Sequence, residues 1–359
     1  MRRSAWVLAV LVAGCLRPSE ERAEQDLEVG HESAAGLRID VSDGLGAVRS
    51  VEPGGLRLWA SAPTLTITLE RPDDAEADWH VEVDNCLPDA ELEGPDGVVV
   101  AELDRVLSTR CSWQVVLPPG VPVVLTVRSP RDRTAGAFRF GLLSDVQDAV
   151  DQVQDLYDRM NQDPALDFVL GTGDVTGHGS AQEYRTFQAA LDGLTVPYFT
   201  TLGNHELGES PCRFQEYFGR GNLHFVFRGV HFTLLDSASG TLDPLVYDWL
   251  DGWLEAGRSS VHVVAMHMPP LDPVGLRNGA FSSRIEAGKL LGELAEGGVD
   301  LTLYGHVHSF YHFHNAGIPA YLSGGGGLPE RFDGIGRHYV AIDVDPVLGL
   351  QGVEMVEVD

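Results

Sequence analysis

Residues 197–205 read PYFTTLGNH, with Glu206 following. Tyr, Phe and two Thr make a short β-rich run, and it stops at Gly203 in front of three polar residues. On its own Asn204 is a turn residue and His205 a surface histidine. Four other stretches repeat the design of an apolar strand ending in a polar group: FGLLSDVQ (140–147), FVLGTGD (168–174), VHVVAMH (261–267) and DLTLYGHVH (300–308). Helical patterns lie between them: a stripe of Ala149, Val153, Leu156 and Met160, then 181–194, then 247–254, then a helix opened by the capping-box pair Ser283 and Glu286. Further strands, LHFVFRG and VHFTLLDS (223–237), IPAYLSG, HYVAIDV and GVEMVEV, complete the set. Strands alternating with helices predict a layered α/β fold, and ligands gather past the strand ends of such sheets.

The order Asp, Gly-Asp, Gly-Asn-His-Glu, His, Gly-His-x-His resembles the calcineurin-like metallophosphoesterases over about residues 138–345. That resemblance implies a four-layer α/β/β/α sandwich across 136–359. It also implies two divalent metal ions, because phosphate-ester hydrolysis spreads negative charge over several oxygens, and a cation pair can hold those oxygens and activate water. By the same resemblance Asp145, Gln147 and His308 bind one metal, and Asn204, His267 and His306 bind the other. Asp174 bridges them, and His205 faces the leaving group as general acid while Glu206 orients its neighbour. The substrate class implied is a small phosphorylated molecule: a monoester, a diester or a nucleotide diphosphate.

Two positions depart from common family patterns. Gln147 stands where histidine is usual. An amide oxygen still coordinates, and it favours Mn²⁺ or Mg²⁺ over Zn²⁺ or Fe³⁺. The other reading makes Gln147 a cap of the following helix with no metal role. Some branches of the superfamily carry Asp-x-Gln here, so Mn is the expected metal. Gly177 stands where purple acid phosphatases carry a tyrosine ligand, which sets that branch aside. His178 lines the pocket or lies exposed in its loop, and Asp148 reads as a helix N-cap. The run Gly324–Gly327 is expected to need unusual backbone angles. His224, His231, His262, His312 and His314 read as surface residues.

Upstream the rhythm differs. Residues 36–132 hold short β-rich runs at 65–69, 79–83, 97–103, 112–117 and 122–127, separated by turn residues, which predicts a small all-β, sandwich-like domain. The first fifteen residues, MRRSAWVLAVLVAGC, combine two arginines with an apolar core too short to span a bilayer, and read as a signal peptide. The ending LVAGC resembles the lipobox of bacterial lipoproteins. Cys15 would then be lipidated and the protein exported and lipid-anchored at the outer membrane or periplasmic face, with 16–35 as a flexible tether. An ordinary cleaved signal with an incidental cysteine is the alternative.

Of the other three cysteines, Cys86 and Cys111 are candidates for a disulfide in an oxidising compartment, worth about 3 kcal/mol. Cys212 is then a buried free thiol, and other pairings remain open. The 359 residues carry 53 acidic against 25 basic side chains, a net charge of −28. Such a surface repels phosphate backbones, so no nucleic-acid partner is expected. The competing reading of the whole chain is a non-catalytic surface lipoprotein that binds a partner or glycan and keeps a structural metal.

Overall fold

The computed structural model describes residues 18–72, 74–103, 105–275, 279–328 and 333–358. Signal segment and Cys15 lie outside them. Upstream of residue 130 two five-stranded sheets face each other. One runs, in spatial order, His31–Ala34, Leu37–Val41, Leu65–Glu70, Val123–Arg128 and Glu91–Glu93. The other runs Gly46–Glu52, Gly55–Ala60, Asp78–Asp84, Arg110–Val116 and Val99–Glu102. Period-two alternation sets the inward face: Leu65, Ile67 and Leu69 are buried, and Ile67 pairs with Leu125 across the ladder. Trp79 and Trp113 fill the space between the sheets, and Cys86 is bonded to Cys111 at the end of the second one.

Residues 18–35 are not a tether. Pro18–Glu28 is a helix, and His31–Ala34 is a strand paired to Leu37–Val41. Arg22 forms a buried ion pair with Asp236 at 2.6 Å. Asp26, one turn on, is fully buried and accepts hydrogen bonds from Gln215 Nε2, the Gly221 and Asn222 backbone N–H groups and Asn222 Nδ2. The composition of this stretch is that of a solvated segment, but its two central charges find their partners about two hundred positions away, where no local reading reaches.

From Phe138 onward two further sheets pack face to face. The first has the order Tyr198–Thr200, Leu166–Gly171, Phe138–Leu142, His338–Asp345, Gly349–Glu357, with its first three strands parallel. The second has the order Leu223–Phe227, Val230–Leu235, His262–Met266, Leu301–Tyr304, Ile318–Ser323, Phe310–Asn315, with parallel strands at its centre. Phenylalanines 138, 140 and 168 from one sheet meet 225, 227 and 232 from the other in edge-on contacts, such as Phe138 to Phe227 at 4.9 Å between centroids.

Outside the first sheet lie the helices Gln154–Asn161 and Ala181–Ala190, and outside the second lie Pro244–Gly257 and Arg284–Glu296. The layers are therefore α/β/β/α behind an all-β unit. The stripe Ala149, Val153, Leu156 and Met160 is buried, though its first part winds as a 3-10 segment, Gln147–Gln152. Ser283 caps the Arg284–Glu296 helix, but Glu286 does not close the box; its carboxylate turns to Thr241 Oγ1 and the Leu242 N–H. Among the described residues no helix is long and apolar enough to cross a membrane.

Candidate metal centre

Each expected site residue lies just past the C-terminal end of a parallel strand. Asp145 follows Phe138–Leu142, Asp174 follows Leu166–Gly171 and Asn204 follows Tyr198–Thr200. His267 follows His262–Met266, and His306 and His308 follow Leu301–Tyr304. Two sheets delivering their strand ends to one edge bring together residues 163 positions apart. The turns that do this are strained. Of nine non-glycine residues with positive φ among those described, four are Asp145 (61°), Gln147 (47°), Asp174 (53°) and His306 (71°).

His267 Nε2 sits 3.0 Å from Asn204 Oδ1, 3.2 Å from His306 Nδ1 and 3.2 Å from Asp174 Oδ2. Asp174 Oδ2 also accepts from Gln147 Nε2 at 3.0 Å, and that amide is 3.3 Å from His308 Nε2. His308 Nε2 lies 3.7 Å from Asp145 Oδ1. The seven side chains thus form two lobes that share the Asp174 carboxylate.

Three histidines are aimed by the same device. Nδ1 of His267 bonds to the Thr172 carbonyl, that of His308 to the Leu328 carbonyl and that of His205 to the Gly177 carbonyl. A carbonyl only accepts, so each Nδ1 carries the proton and each Nε2 is left to face the cluster. These carbonyls are backbone atoms of Thr172, Gly177 and Leu328, and nothing in the residue types announces them.

A cluster of acceptors calls for positive charge. Burial alone would push His267 down, but Asp174 and Asp145 beside it raise it to about 9. Burial likewise opposes ionisation of Asp174, and His267 outweighs it, holding that carboxyl well below its ordinary range. Asp145, fully buried, is held above its ordinary value by desolvation. Donor spacing fits a cation, since ligand atoms about 2.1 Å from one ion and at right angles to each other lie about 3.0 Å apart. The set of imidazole, carboxylate and amide groups, with no thiolate, suits Mn, Mg, Zn or Fe.

Glu206 does more than orient His205. Its buried carboxylate accepts from the backbone N–H groups of Asp174, Thr176 and Gly203 and from the Thr176 hydroxyl, so it ties two site loops together. Burial, aided by the Asp174 charge, pushes it up to about 7. His205 is the half-open member: its ring reaches to 4.0 Å from Asp174 Oδ2 with its side chain 37% exposed.

Asp148 is inside the 3-10 segment and not its cap; Val146 holds that position, and no side chain caps it. The Asp148 carboxylate leans on Gly177, where an added Cβ would come within 2.3 Å of it and have to push that exposed side chain aside. His178 is exposed beside Glu183. Gly324–Gly327 have ordinary backbone angles; their smallness serves close approach, a Cβ at Gly327 falling 2.3 Å from the Asp145 carbonyl. Of the histidines read as surface residues, His262 is fully buried against Thr233 Oγ1, and His224 packs between His231 and Trp253. Cys212 is a half-buried free thiol.

The family model of the calcineurin-like phosphoesterases matches residues 138–310, which run from the first strand of this unit to just past His308. Over residues 138–310 the chain is similar to the calcineurin-like phosphoesterases. A 3',5'-cyclic-nucleotide phosphodiesterase of Nostoc sp. is 26% identical over 155 residues, 40% of this chain and 57% of the relative. A probable glycerophosphodiester phosphodiesterase of Arcobacter nitrofigilis is 30% identical over 122 residues, 31% of this chain and 45% of the relative. The chain spans about half the length of these curated relatives. Among solved structures, PhoD aligns at 12% identity with a TM-score of 0.47, covering 83% of this chain and 90% of that one. All the clustered side chains of the site fall inside the matched segment.

Proposed function

We propose that this protein is a metal-dependent phosphoesterase acting on small phosphodiesters. The carrying observation is the convergence of Asp174, Asn204 and His306 on His267 Nε2 at 3.0 to 3.2 Å. Asp145, Gln147 and His308 complete a second donor set through the shared Asp174 carboxylate. Two divalent cations, Mn by preference, would supply Lewis acidity and lower the pKa of water there. The chain's own residues would hold the cations through Nε2 of His267 and His308, Nδ1 of His306 and the carboxylate and amide oxygens, exclude solvent from Asp174 and Asp145, and present His205 Nε2 from the open side to protonate the departing oxygen. The diester lean draws on the two relatives, both named as phosphodiesterases.

Export and lipidation at Cys15 belong to the same reading. The Cys86–Cys111 disulfide supports an oxidising compartment.

Metal analysis of the purified chain, beside assays on bis(p-nitrophenyl) phosphate and p-nitrophenyl phosphate with Mn²⁺, Mg²⁺ or Zn²⁺ restored, tests it. Asp174→Ala should lose both metal and turnover. His205→Ala should keep the metal and lose about 10²–10⁴ in rate. A metal-loaded wild-type protein that cleaves neither ester would favour the non-catalytic lipoprotein instead.

A further inference from the structure

A cavity of about 460 Å³ opens between the all-β unit and the α/β/β/α unit, apart from the metal centre. One wall is the outward face of the sheet carrying Arg49, Arg57, Trp59 and Arg110; the other is the Ala181–Ala190 helix with Arg185. Four of the chain's 25 basic residues meet here, in a protein with a net charge of −28. Two are satisfied internally. Asp84, buried, takes the Nε–H groups of both Arg57 and Arg110, and Asp192 lies 3.6 Å from Arg110.

Arg49 and Arg185 differ. The Arg49 guanidinium lies 4.7 Å over the Tyr217 ring and donates to the Glu216 carbonyl and to Gln188 Oε1. Arg185 donates to the hydroxyl of the same tyrosine and to Gln182 Oε1. Among the described residues neither makes an ion pair with a carboxylate; the Asp84 and Glu216 charges act on Arg49 from further off, and both guanidiniums spend hydrogen bonds on neutral partners around one tyrosine. Burial and the neighbouring Arg57 charge hold Arg49 below its ordinary value. A guanidinium fork matches phosphate or carboxylate in pairs of parallel bonds, and the cavity offers two of them from opposite walls. Trp59, Leu107 and Val196 give the same cavity an apolar side, and its volume is that of a small-molecule site.

We propose that this interdomain cavity binds a small oxyanion, the phosphate or carboxylate of an organic molecule, between Arg49 and Arg185. Its walls come from both units, so the ligand clamps the all-β unit onto the helix that starts four residues after Gly177, the residue whose carbonyl aims His205.

Calorimetric titration of the full chain with AMP, with succinate and with adenosine tests this, in the wild type and in Asp174→Ala, which disables the metal centre. Binding of AMP or succinate should persist in Asp174→Ala, weaken as salt rises, and fall about tenfold or more in Arg185→Gln. AMP alone binding assigns the site to phosphates and succinate alone to carboxylates; adenosine should not bind. Arg49 is half-buried and its replacement can perturb folding, so the exposed Arg185 carries the test, with the melting temperature and diester turnover of Arg185→Gln remaining those of the wild type. No binding by Asp174→Ala at about 10 mM of either anion, where a millimolar site would fill, overturns the assignment. Equal affinity in Arg185→Gln overturns it as well.

Discussion

Asp174 is the residue on which the two donor sets depend. Its carboxylate touches Gln147 on one side and His267 on the other, and its N–H is held by Glu206. Gln147 is the more informative neighbour, because its amide nitrogen faces Asp174 and His308, both of which accept. Coordination needs the opposite face: a half-turn of the amide puts Oε1 inward and the NH₂ outward. Nitrogen and oxygen are interchangeable in shape, so the change costs no packing. Gln147→Ala should therefore weaken one metal about 10–100-fold with a parallel loss of rate. Gln147→His should keep turnover and move the preference from Mn²⁺ toward Zn²⁺. Metal content by elemental analysis and rates across the three ions read both outcomes; an alanine variant with unchanged metal and rate would remove Gln147 from the ligand set. The candidate ligands were readable from sequence because imidazole, carboxylate and amide side chains after strands are rare in combination. The carbonyls of Thr172, Gly177 and Leu328 that aim the imidazoles were not, since every residue has a carbonyl and only the fold decides where it points.

At the scale of elements, strands with strict alternation or continuous apolar runs were readable because their burial is set by neighbours two residues away. The Pro18–Glu28 helix was not. It has no apolar stripe: its inward residues include Ser19, Arg22, Ala23 and Asp26, and the burial of its charges is licensed by Asp236, Gly221 and Asn222, about two hundred positions further along. The strand edges near the site show the same limit, since Asp236 ends the Val230–Leu235 strand and Ser237 bonds the Met268 backbone beside His267. The helix therefore braces a loop one residue from a candidate ligand. Arg22→Ala strands the buried Asp236 carboxylate and should cost about 3–5 kcal/mol in urea unfolding. Arg22→Ala with Asp236→Ala removes the stranded charge and should recover part of that loss. A flexible tether would lose nothing in either variant.

For the molecule as a whole, charge sets a problem that the site has to solve. On the proposed reading, the −28 surface would repel an anionic diester at long range, while a metal-loaded centre and His205 would attract it only near contact. These two effects respond differently to salt. Repulsion between exposed charges fades as the screening length drops from about 30 Å at 0.01 M to about 8 Å at 0.15 M. The donor cluster, with Asp145 and Asp174 buried, is screened far less. Capture of substrate should consequently speed up with added salt, the reverse of the usual loss for an electrostatically steered enzyme. For bis(p-nitrophenyl) phosphate, kcat/KM should rise severalfold, up to about tenfold, between those two ionic strengths, with kcat nearly constant. A neutral phosphotriester, turned over or bound as an inhibitor, should show no such rise. If kcat/KM for the diester instead falls with salt, the approach to the site is locally positive, and the acidic surface has no hold on substrate access.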